Sequence, residues 1–139
     1  MAQKVSLRFC ILFTLMGAIF ASVAVQAAEI VKARAGLHAD KTRFVLELTG
    51  KPVFEFEKNP ENGQVVIMLK NIGVPKGRVV PSATIGLVKH TMFISKGGKS
   101  SKVVLFLSKP AKVSNSFIIP GDENKAHRLV VDLIAAETL

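Results

Sequence analysis

From Thr42 the chain reads TRFVLELTGKPVFEF, and from Ser101 it reads SKVVLFLSKPAKVSNSF. In the first stretch Phe44, Leu46 and Leu48 fall on one face, and Arg43, Val45 and Glu47 on the other. In the second, Val103, Leu105 and Leu107 take the matching face. A period of two is the mark of a β-strand with one buried side. Val45 and Val104 place an apolar residue on each outer face, so those faces are expected to be half covered. A turn with proline follows each strand, TGKP and then SKP, and a second strand follows each turn, from Val53 and from Lys112.

The echo extends both ways. NPENGQVVIML and PGDENKAHRLVVDL each set a proline-led polar turn before an apolar strand, Val65 to Leu69 and Leu129 to Leu133. Upstream, VKARAGLHADK precedes one copy and VKHTMFISKGGK the other, which aligns Val31-Lys32 with Val88-Lys89. The chain therefore reads as an internal duplication, Ile30 to Asn71 and Ile85 to Ala135. The crossover between copies is NIGVPKGRVVPSATIG, with Gly73, Pro75, Gly77 and Pro81.

One four-stranded antiparallel unit has a single apolar face and cannot hide it from water alone. Two such units can press those faces together. The expected fold is all-β, a β-sandwich of two antiparallel sheets built from the duplicated four-strand unit, with seven or eight short strands. No segment of this part shows a helical period, and the tail DLIAAETL is expected to begin a helix or a linker.

The copies are preceded by a different kind of sequence. Lys4 and Arg8 open it, the apolar run FCILFTLMGAIFASVAV follows, and it closes on small or apolar residues. That order predicts a signal peptide over residues 1–27, cut after Ala27, and a single domain over residues 28–139. Cys10 is the one cysteine, so the mature domain is expected to use neither disulfides nor a thiol nucleophile. The signal takes two of the nineteen basic residues and none of the ten acidic ones. The remaining surplus of positive charge should draw the domain to anionic surfaces.

Strand order, proline placement and two short motifs together resemble the AMIN domain. This is the N-terminal module of periplasmic N-acetylmuramoyl-L-alanine amidases, also found in some type IV pilus secretins. The motifs are VKARAGLHADKTRFVLELTGKP, where Arg34 is followed by Arg43 opening a strand, and the closing strand HRLVVDL. The resemblance covers Ile30 to about Ala135. It implies a non-catalytic β-sandwich in the periplasm that binds peptidoglycan and targets an amidase to the division septum, with septal or envelope proteins as further partners. It also implies that the zinc chemistry of the family's amidases belongs to a separate C-terminal domain. Here the sequence stops at Leu139, so a truncated or free-standing module is expected. The alternative is a protein-docking module of an envelope assembly such as a secretin, where an edge strand pairs with a partner.

The residues themselves offer little chemistry. His38, His90 and His127 sit at no local ligand spacing, and no His-Glu-x-x-His run occurs. KGGKSSK, from Lys96 to Lys102, suggests a phosphate loop, but Phe93 stands where the first glycine is needed and a strand follows where a helix is required. A hairpin turn is the expectation. Arg128 and Asp132 share a strand face with Val130 between them, either to grip a ligand carboxylate or to pair with neighbouring strands. The chain has no Trp and no Tyr, the usual platforms for sugar rings and single-stranded nucleic acid. Recognition of peptidoglycan should then rest on Lys and Arg contacts with peptide carboxylates. The candidate ligand-binding residues are Lys32, Arg34, Lys89, Lys99, Lys102 and Arg128. No catalytic residue, metal site or cofactor is expected, and neither a nucleic-acid partner nor stable membrane insertion after signal cleavage.

Overall fold

The computed structural model describes Ser22 and residues 28–58, 61, 63–75, 85–97 and 99–136. The signal expectation and most of the crossover lie outside the described residues. Among those described, the protein is all-β with no helix, and nine strands form two sheets. They are β1 Ala28–His38, β2 Lys41–Leu48, β3 Phe54–Phe56, β4 Gln64–Leu69, β5 Ile72–Gly73, β6 Val88–Ser95, β7 Ser101–Leu107, β8 Ala111–Ile119 and β9 His127–Ala135. The five-stranded sheet runs β5-β1-β2-β9-β8, and the four-stranded sheet runs β3-β4-β7-β6.

The two expected copies are present, but neither forms a sheet of its own. The first hairpin of copy one, β1–β2, joins the second hairpin of copy two, β8–β9. The remaining hairpins, β3–β4 and β6–β7, make the other sheet. Each sheet is thus half from one copy and half from the other. Exchanging the copies converts the order β1-β2-β9-β8 into β6-β7-β4-β3, which is the second sheet. The registers agree residue by residue. Placing Phe44 on Val103 and Val65 on Leu129 turns the pair Leu46↔Leu129 into Leu105↔Val65, and both pairs are observed. The bulge between Ile30 and Lys32 in β1 has its counterpart between Val88 and His90 in β6. Interleaving follows from the hydrogen-bonding edges: β2 and β7 each need a long central partner, and the last strand of the opposite copy supplies it.

This register corrects the upstream alignment by one residue. Ile30 corresponds to Val88, so Lys32 corresponds to His90 rather than Lys89. A one-residue slip moves a side chain to the opposite sheet face, so the sequence alignment gave Lys89 the wrong counterpart. Two further differences concern length. β9 continues through Ile134 and Ala135, where a helix or linker was expected. The crossover contributes β5, which lies parallel to the start of β1 through Ala28↔Ile72 and Glu29↔Gly73.

The core lies between the sheets. Phe44, Leu46 and Leu48 of β2 and Leu129, Val131 and Leu133 of β9 meet Val65, Ile67 and Leu69 of β4 and Val103 and Leu105 of β7 in one cluster. Burying each such side chain contributes about 1.5–3 kcal/mol. Thr42 and Ser101 occupy equivalent positions at the core's edge, and both are buried. The Thr42 hydroxyl accepts a hydrogen bond from the Leu87 amide, which anchors the turn before β6. That turn carries Gly86 at φ +57°, a backbone conformation that favours glycine.

Candidate ligand-binding face

Alternation puts Lys32, Arg34 and Gly36 of β1, Arg43, Val45 and Glu47 of β2, and Arg128, Val130 and Asp132 of β9 on the outer face of the five-stranded sheet. Pairing brings them level: Arg34 faces Val45, which faces Val130, and Lys32 faces Glu47, which faces Arg128. Phe117 and Ile119 of β8 complete the row beside Val130 and Arg128.

Two ion pairs organise this face. Arg43 grips Asp132 with two hydrogen bonds, Nε to Oδ1 at 2.8 Å and Nη2 to Oδ2 at 3.1 Å. Asp132 is almost fully buried, and its carboxyl is held below the ordinary carboxylate range chiefly by the Arg43 hydrogen bonds, against the opposing effect of burial. The same contact raises the Arg43 guanidinium. Arg43 also lies over the Phe117 ring, 5.7 Å from its centre. Asp132 is therefore partnered across strands, by Arg43, and not along its own strand by Arg128. The second pair is Arg34 Nη2 with Glu47 Oε1 at 3.3 Å, both partly exposed.

Arg34, Glu47, Lys125, Ala126 and Arg128 line one depression. Next to it is a shallow cleft of about 280 Å³, with Gly36, Val45, Val130 and Ile119 inside and Arg34, Arg43 and Arg128 around it. A side chain at Gly36 would point into open space, so nothing roofs the cleft on the β1 side. Lys32, Arg34, Lys125 and Arg128 thus gather around the single carboxylate of Glu47.

The candidate residues divide between the sheets. Lys32, Arg34 and Arg128 come together here. Lys89, Lys99 and Lys102 do not join them. Lys89 sits in the β6 bulge. Lys99 is exposed in the β6–β7 turn, where the Lys96 amide donates to the Ser100 carbonyl and the Ser100 amide to the Gly97 carbonyl, as in the expected hairpin. Lys102 is mostly buried and bonded to Glu57 Oε1 at 3.0 Å. Lys125 was missed because it stands in a polar turn, where nothing in the sequence signals a position beside Arg34. The histidines lie apart: His90 stacks on Phe106 at 5.7 Å, and His127 Nδ1 accepts from the Gly121 amide. Among the described residues no three His, Cys, Asp or Glu side chains gather as a metal site would require.

The copy-exchange relation gives the cleft a counterpart on the four-stranded sheet. Val45 and Val130 become Val104 and Val66, Arg34 becomes Met92, Arg128 becomes Gln64, Gly36 becomes Ile94 and Arg43 becomes Lys102. All six counterparts line one depression, together with Phe106 and Glu57. The backbone platform is the same, but methionine, glutamine and lysine stand where the first cleft has its three arginines.

No family model matches the chain, and no curated protein is significantly similar to it.

Proposed function

We propose that this protein is a non-catalytic peptidoglycan-binding module of the bacterial periplasm, of the AMIN type that targets an N-acetylmuramoyl-L-alanine amidase to the cell wall. The observation that carries the reading is the grouping of Lys32, Arg34, Lys125 and Arg128 around Glu47 on one open sheet face. A flat, cationic surface without Trp or Tyr suits a polymer decorated with peptide carboxylates, which it would hold by charge-assisted hydrogen bonds. Such binding is expected to be weak and to fall as salt rises. The apolar leader and the resemblance carried by Arg34, Arg43 and HRLVVDL support the same assignment.

The test is co-sedimentation of the chain from Ala28, which holds every described strand, with purified sacculi. Retention at low salt and release at high salt are expected. Equal recovery in the supernatant with and without sacculi would refute the reading. A second reading, docking to an envelope protein by strand addition, draws on β8, a nine-residue edge strand with β9 as its one partner among the described strands.

A further inference from the structure

We infer that the cleft over Val45 and Val130 recognises a terminal carboxylate attached to a small apolar residue, an acylated amino acid of about the size of alanine. The inference rests on the wall-binding reading and names the part of the wall peptide that would be read.

Three observations carry it. The first is an uncommitted cation. Arg128 faces Glu47 in the strand register, yet the Glu47 carboxylate is taken by Arg34. Arg43 is held by Asp132 in the same way. Arg128 has no ion-pair or hydrogen-bond partner among the described side chains, and it borders both depressions of the face. A guanidinium is a planar fork that matches a carboxylate with two parallel hydrogen bonds.

The second observation is the floor. Val130 is buried and Val45 half-buried, and Ala35, Gly36 and Ile119 surround them. This is an apolar patch directly beside the cation. Its volume of about 280 Å³ lies at the small end for ligand sites, enough for one methyl-bearing residue and its acyl group. No aromatic ring lines it, so it offers no stacking platform for a sugar.

The third is the counterpart cleft. It keeps the valine floor, Val66 and Val104, but has Gln64 and Met92 where the first has Arg128 and Arg34. Its cations are the lysines Lys58 and Lys102, set among Glu57 and Glu61, and Lys102 is bonded to Glu57. The same platform therefore exists twice in the molecule, once with an uncommitted guanidinium beside the valines and once with no arginine at all. The copies differ at the positions a carboxylate would touch.

The test follows the methyl NMR signals of Val45, Val130, Val66 and Val104 in the chain from Ala28, titrated with N-acetylalanine and, separately, with N-acetylalaninamide. The acid is expected to shift Val45 and Val130 and to saturate in the millimolar range, while the amide leaves them unmoved. Arg128→Gln is expected to weaken the acid by about tenfold or more, the loss of one charge-assisted pair. The reverse transplant, Gln64→Arg with Met92→Arg, is expected to create acid-dependent shifts at Val66 and Val104. Equal shifts by acid and amide, or an unchanged response in Arg128→Gln, would overturn the inference. Sacculi that sediment the chain while the acid shifts nothing would sink the cleft and leave wall binding standing. Binding of the acid without sedimentation would do the reverse.

Discussion

Leu46 and Leu105 are the same residue of the repeated unit, one in each sheet, and both are fully buried in the shared core. Leu46 pairs with Leu129 across β2–β9, and Leu105 with Val65 across β7–β4. Truncating either to alanine removes the same atoms from equivalent places. Leucine-to-alanine changes in a packed core cost about 3–5 kcal/mol, depending on how far the cavity can close. A domain of this size is stable by only about 5–15 kcal/mol, so each change should remove a large share. With a urea dependence near 1.5 kcal/mol per molar, the unfolding midpoint should fall by roughly 2–3 M. Equilibrium urea unfolding of L46A, L105A and the parent, followed by far-UV circular dichroism, measures this directly. The slopes should stay alike and the two losses should agree within about 1 kcal/mol. If one variant lost less than about 1 kcal/mol while the other lost several, the sheets would not share one core as described. The interleaved architecture would then be wrong.

Other outcomes follow from single contacts. Asp132 has a pKa below its ordinary value of 3.8, so its stabilising effect is complete above that value and is lost as pH falls through the lowered one. Thermal melts from neutral pH downward should therefore show a steep acid loss that Asp132→Asn makes shallower, from a less stable starting point. Gly86→Ala should destabilise by about 1–3 kcal/mol, because φ is +57° and a methyl there would meet the Thr42 hydroxyl and Leu37 Cδ2; calorimetry reads it. The buried Thr91 hydroxyl has no hydrogen-bond partner among the described residues, so Thr91→Val should be neutral or raise the midpoint slightly in a urea titration. Charge reversal at the exposed Lys99 should leave sacculus binding close to that of the parent, since it lies away from the cationic group around Glu47.

Strand content was legible because alternation is a local property. Phe44, Leu46 and Leu48 announce a half-buried strand whatever lies beside them, and Val103, Leu105 and Leu107 repeat the announcement. Sheet membership was not legible. Both copies carry the same alternation, so nothing in it says whether β2 should take β4 or β9 as its neighbour. β5 was hidden for a different reason: two residues, Ile72 and Gly73, are too few to show any period. At the site, Lys32, Arg34 and Arg128 could be named as surface cations, because each stands at an outward position of an alternating strand. Their meeting around Glu47 depends on β1, β2 and β9 being adjacent, which only the topology supplies. Arg43 was visible as a strand-opening arginine, but its partner required the register that sets it opposite Asp132. Lys102 shows the limit from the other side, since a lysine on an outward position is here drawn into a bond with Glu57.

The interleaving of the copies bears on how such a chain could arise. A polypeptide with one copy owns half of each sheet and the full set of edges, so alone it leaves β2 and β4 without central partners. Two identical short chains could supply one another with those partners, in the same register the fused molecule uses. Gene fusion would tie two such identical chains together and free the two outer surfaces to differ, as they do here, with arginine on one and methionine and isoleucine on the other.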